Sequence, residues 1–151
     1  MLKELLKKEH LILNMKARTK DEALEELVKV LKFPPDKERL LLDTLKKRES
    51  IGSTGIGRGI AIPHARSVVL DKVYLVVGRS KEGVDFDALD GNPVHLFFML
   101  AAPPQDPGTQ YLLALGKIAA LARKLAKTKE YLEIDDPDEF INYLIKLSEE
   151  E

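Results

Sequence analysis

The chain has 151 residues, with 24 Lys and Arg against 25 Asp and Glu, a formal net charge of −1. That balance excludes a general nucleic-acid binder, which carries a basic excess, and no apolar run nears the ~20 residues of a membrane-spanning helix. The absence of cysteine excludes disulfides, thiolate nucleophiles and cysteine-ligated zinc. The length suits one domain over residues 1–151 with a sizeable core, and an N-terminus of mixed charge without a signal-peptide core points to the cytoplasm.

His10 to Asn14 is a short apolar run that predicts a first strand. Thr19, with Glu22 three residues on, predicts a capping box opening a helix whose Ala23, Leu24, Leu27, Val28 and Leu31 share one face. Pro34 and Pro35 end that element and open a second helix, through about Lys47, with Leu40, Leu41, Thr44 and Leu45 inward. Val73–Gly78 and Val94–Leu100 are rich in β-formers and predict central strands, joined by a connection over Gly83–Pro93. Ala101–Gly108 reads as a loop, after which Leu112, Leu115, Ile118, Ala119, Ala122 and Leu125 mark a long amphipathic helix. Pro107 and Gly108 close that loop, which puts Tyr111 in the helix's first turn. Asp136, Pro137 and Glu139 start a last helix carrying Phe140, Ile141, Leu144 and Ile145. Strands and helices mixed in this way predict an α/β fold, a single mixed β-sheet flanked by helices.

The segment from Arg48 to Arg66 stands apart. It holds glycines at 52, 55, 57 and 59, the pair Ser53-Thr54, three arginines and His64 directly after Pro63. Such glycines let a backbone take positive φ and bring its N–H groups to a ligand. A nucleophilic imidazole beside donors and cations suits an anionic group such as phosphate.

Rival chemistries fit less well. Gly52 and Gly57 have the gap of a Walker A loop, but Arg58-Gly59 stands where Lys-Ser/Thr is required, and an extended Ile60-Ala61-Ile62-Pro63 follows where a helix must begin. The glycine spacing does not match a Rossmann fingerprint either. His10, His64 and His95 share no short ligand spacing, so no metal site is expected. His10 at a strand edge and His95 between Val94 and Leu96 read as ordinary strand histidines. No Gly-x-Ser-x-Gly elbow surrounds Ser50 or Ser53, and the Ser53 and Thr54 hydroxyls either donate to an anion or cap a turn.

Arg48-Glu49 followed by Gly52-Ser53-Thr54-Gly55-Ile56-Gly57-Arg58-Gly59-Ile60-Ala61-Ile62-Pro63-His64 resembles the signature of the enzyme IIA domains of the bacterial phosphotransferase system. The likeness is to the type 2 class, fructose/mannitol and nitrogen-regulatory, and continues through Gly83–Gly91 and Pro93–Leu100 into the helix after Tyr111. The resemblance implies a phosphohistidine carrier with no complete catalytic cycle of its own and no metal or organic cofactor. His64 would accept a phosphoryl group from an HPr-like phosphocarrier and pass it to a IIB domain, or signal to a regulatory protein by its phosphorylation state. Arg48 would hold the phosphoryl group, with Ser53, Thr54, Gly55 and Arg66 around it. Arg58 would serve the phosphate or a docking surface. Many members carry a second histidine facing the first; here Tyr111 takes that place. Two further readings stand beside the carrier: a nitrogen-regulatory binding protein without transport, and a degenerate domain that carries no phosphate.

Overall fold

The computed structural model describes residues 2–105 and 109–150. In chain order the elements are α1 (Leu2–Leu5), β1 (Leu11–Ile12), α2 (Lys20–Lys29), α3 (Pro35–Ile51), β2 (Gly55–Gly57), β3 (Ile60–Ala61), β4 (His64–Arg66), β5 (Tyr74–Val84), β6 (Val94–Ala102), α4 (Gln110–Thr128) and α5 (Pro137–Glu149). The closing loop residues Pro107 and Gly108 lie outside the described residues.

The two β-rich runs pair antiparallel as β5 and β6, the spine of one six-stranded mixed sheet ordered β1-β5-β6-β3-β2. β3 and β4 both lie parallel to β6, at successive heights on the same edge: Ile60 is level with Leu96, and His64 with Leu100. Pro63 sits in the break between them, where a residue with no N–H interrupts no ladder.

Both sheet faces are covered, which explains why β5 and β6 read as continuous apolar runs rather than alternating ones. On one face Ile62, Leu75, Phe98 and Leu100 pack against α4, α5 and α1 through Ile118, Leu121, Phe140 and Leu2. On the other, Ala65, Val76, Phe97 and Met99 pack against α2 and α3 through Leu24, Leu27, Leu41 and Leu45. Each such leucine contributes about 2 kcal/mol by leaving water.

The Thr19 box forms in full: its hydroxyl accepts from the Glu22 N–H, and the Glu22 carboxylate accepts from the Thr19 N–H. Asp136 caps α5 by accepting from the Glu139 N–H at 2.9 Å. Several expectations are corrected. β1 is only Leu11–Ile12, and His10 lies in a 3₁₀ turn whose ring tilts against Tyr74. α3 runs one turn past Lys47 to Ile51, and Leu40 is 52% exposed because the buried stripe is Leu41, Leu45 and Glu49. β5 continues to Val84 and β6 to Ala102, into stretches that the prolines and glycines marked as loops. The inward face of α4 is Tyr111, Ala114, Ile118, Leu121, Ala122 and Leu125, so Leu112 points outward at 58% exposure. No helix among the described residues is long and apolar enough to cross a membrane.

Candidate functional site

His64 opens β4 at the end of the sheet, half-buried, with its Nδ1 at 2.7 Å from the Ile62 carbonyl oxygen. A carbonyl only accepts, so Nδ1 carries the hydrogen and donates it. The lone pair of the neutral ring is then on Nε2. Strand alternation puts Ile62, His64 and Arg66 on the α4 side of the sheet and Ala65 on the other.

Tyr111, in the first turn of α4, meets the imidazole with ring centroids 6.4 Å apart, tilted by 54°. The Arg66 guanidinium lies over the Tyr111 ring, its carbon 4.6 Å from the centroid, and its Nη1 donates to the Pro104 carbonyl at 3.1 Å. Arg48, in the last turn of α3, donates from Nη1 to the Gly52 carbonyl at 2.8 Å. Burial raises the Tyr111 phenol above its usual range, while the charges of Arg66 and Arg48 pull it back, so both cations act on this ring. His64, Arg66, Tyr111 and Arg48 therefore converge, at the end of α4 where the helix dipole is positive.

The glycine segment folds as a hairpin with internal bonds of its own. β2 and β3 form a hairpin with a turn at positive φ through Gly57, Arg58 and Gly59. Gly52 is extended, and Gly55 is needed for space, since a Cβ there would lie 2.9 Å from Ala88. Several of its donors have partners within the fold. Ser53 Oγ donates to the Phe86 carbonyl and accepts from the Gly55 N–H, while the Arg58 N–H goes to Asp90 at 2.9 Å. The Thr54 N–H and hydroxyl both donate to the Glu49 carboxylate. Ser53, Thr54 and Gly55 thus cap and brace the hairpin that leads to His64. Ile60 is core, and Ile56 is 46% exposed. His95 donates from Nδ1 to the Ser80 carbonyl, 2.8 Å away, the ordinary strand histidine that its position predicted.

Glu49 received no role from the sequence, although a signal was there. It lies four and eight residues past Leu45 and Leu41, on the face that buries itself, and a carboxylate on such a face needs partners. It finds Thr54 and the Lys20 ammonium at 3.7 Å.

His64 beside Tyr111, with Arg66 over the same ring and the Arg48 charge acting on it, stands at the end of one mixed sheet covered by helices on both faces, the architecture of an α/β protein. The chain belongs to the family described as the phosphoenolpyruvate-dependent sugar phosphotransferase system, EIIA 2, whose model matches residues 4–147. It is 38% identical over 147 residues to the fructose-specific EIIABC component of the phosphotransferase system from Bacillus subtilis, covering 93% of this chain but 22% of that protein. The chain thus spans about a fifth of that relative's length. The crystal structure of nitrogen regulatory protein IIA-Ntr from Neisseria meningitidis superposes with a TM-score of 0.80 at 30% identity, over 95% of this chain and 98% of the other. Enzyme IIA mannitol of Escherichia coli, solved in complex with phosphorylated enzyme IIB mannitol, shares the fold with a TM-score of 0.71 at 20% identity, over 91% of this chain and 95% of that one.

Proposed function

We propose that the protein is a cytoplasmic phosphoryl carrier that takes a phosphoryl group on Nε2 of His64. The observation that carries this reading is the bond from Nδ1–H to the Ile62 carbonyl, which leaves Nε2 as the nucleophile on a half-buried ring. The donor is an HPr-like phosphocarrier bearing a protonated phosphohistidine. Its P–N bond breaks with the electron pair returning to the donor ring, while the Nε2 lone pair of His64 forms the new N–P bond. The proton stays on Nδ1, still donated to the Ile62 carbonyl, and the positive charge that the donor ring gives up passes to the His64 ring. Arg48 and Arg66 offset the charge on the phosphoryl oxygens, and positioning plus charge stabilisation is most of what such a transfer requires.

The group then leaves to a IIB domain, a receiver suggested by the EIIABC composition of the Bacillus subtilis relative and by the Escherichia coli pair. Signalling through the phosphorylation state is the second reading, favoured by the likeness to the Neisseria meningitidis nitrogen regulatory protein over nearly its whole length. A phosphate at the site adds up to about two negative charges, enough to remodel a docking surface.

Incubation with a phosphorylated phosphocarrier should yield acid-labile phosphate on the wild type and none on His64→Ala, with the circular-dichroism spectrum unchanged. Labelling of the alanine variant at the wild-type level would refute the assignment.

A further inference from the structure

We infer that Glu49 is a positioning residue for His64, acting through Thr54 and Ile62; this rests on the carrier reading. The connection is continuous. The Glu49 carboxylate, 4% exposed, accepts the Thr54 N–H at 3.1 and 3.3 Å and the Thr54 hydroxyl as well. The Thr54 carbonyl accepts the Ile62 N–H at 3.0 Å, and the Ile62 carbonyl accepts Nδ1–H of His64 at 2.7 Å. Four groups from the end of α3, the start of the hairpin and the entry to β4 are tied in series, ending on the ring nitrogen that must keep its hydrogen.

A carboxylate suits the first position for a chemical reason. Two donors of Thr54 converge on it, and a carboxylate offers them a charged acceptor at both of its oxygens. A carboxamide keeps one neutral acceptor oxygen and puts an NH₂ in place of the other, which weakens the hold on Thr54. The Ile62 carbonyl then shifts with Thr54, because the same peptide segment holds it in place. Free imidazole favours hydrogen on Nε2, the arrangement that blocks attack, so losing the carbonyl's aim costs nucleophile population directly. Around this series the charged and titratable neighbours are Lys20 from α2, which also reaches Asp87 at 3.4 Å, Arg48 beside Glu49, and Arg66 with Tyr111 on the far side of the imidazole.

The test uses the unphosphorylated protein first. Ring ¹⁵N shifts at a pH where His64 is neutral should report Nδ1–H in the wild type, and a mixture with Nε2–H in Glu49→Gln and Thr54→Val. Thr54→Ser, which keeps both donors, should read as wild type. Phosphate acceptance should fall about tenfold in Glu49→Gln, the lower end of what loss of a group orienting a reactive histidine costs. Should Glu49→Gln fail to fold, the Thr54→Val and Thr54→Ser pair decides alone. An unchanged tautomer and rate in the folded variants would overturn the inference. If the wild type takes no phosphate at all, the carrier reading fails, while the ¹⁵N measurement still decides whether Glu49 governs the ring.

Discussion

At the residue scale, Arg48 has two roles set against each other. One arm of its guanidinium holds the Gly52 carbonyl just past the end of α3, a helix-end bond, while its charge acts on the Tyr111 phenol beside His64. A planar fork binding the carbonyl through one nitrogen leaves others for the phosphoryl group of the proposed transfer. Arg48→Ala should slow phosphate acceptance by tenfold or so while lowering stability only slightly, and Arg48→Lys should rescue poorly because an ammonium cannot span both partners. Acceptance at the wild-type rate in the alanine variant, measured by rapid quench, would leave Arg48 as a helix-end charge alone. That His64, Arg48 and Arg66 gather near one ring was legible as a dense run of imidazole and guanidinium groups in one segment. The partners of Ser53, Thr54 and Gly55 were not, since hydroxyls and amides serve a turn as readily as an anion, and only the fold brings Glu49 and Phe86 to them.

At the scale of elements, α4 determines what faces the histidine. Its first turn presents Tyr111, buried and raised in pKa chiefly by that burial, so the phenol stays neutral wherever the protein works. A histidine in its place would gain a proton as pH falls through about 6.5 and would add a positive charge to the site. Between about pH 6 and 7.5 the acceptance rate should therefore vary less in the wild type than in Tyr111→His. Matching pH profiles for the two would remove residue 111 from the transfer chemistry. The inward stripe of α4 was read correctly at Ile118, Ala122 and Leu125 but one position late at its start: Leu112 looks more apolar than Tyr111 but points outward, because the helix begins at Gln110 and its phase follows from that start. The extra turn of α3 was hidden for a related reason. Arg48, Glu49 and Ser50 read as a polar exit from the helix, and the partner that makes a buried Glu49 acceptable lies beyond it, across the turn to Thr54.

Across the whole molecule, one buried cation ties distant parts of the chain together. Arg79 on β5 has no exposed surface; it donates to the carbonyls of Leu13, Tyr131 and Ile134, pairs with Asp135 at 3.4 Å and stacks on the Phe140 ring. Arg79→Ala leaves one buried and two half-buried carbonyls without their donor, and the expected loss is about 3 kcal/mol or more in urea unfolding. A loss below about 1 kcal/mol would mean that water replaces the guanidinium without penalty. No pattern in the sequence predicted this residue, since a single Arg in a β-rich run reads as solvent-facing until both sheet faces are known to be covered. The α/β class itself was legible from the alternation of apolar runs with amphipathic helices, whereas the short strands of the glycine segment were invisible because two or three residues carry no period. Stability should also depend on pH through His10, whose pKa is lowered by burial first and by the Lys7 charge second. Below about 6.5 the unfolded chain gains a proton that the folded ring resists, so stability falls as pH drops through that value. Glu22, Asp90 and Asp135, held below the usual carboxylate range by their donors, lose their contribution only at lower pH. The urea midpoint should fall between pH 7.5 and about 5.5, and less so in His10→Phe; an equal fall in both would clear His10. The register of β4 on β6 has a last consequence. His64 is level with Leu100 in a sheet buried on both faces, where a one-residue slip would turn every side chain to the wrong side. In the proposed carrier role the imidazole would meet a docking partner already ordered, association would lose little conformational freedom there, and a brief, weak encounter would suffice for a carrier that releases one partner to meet the next.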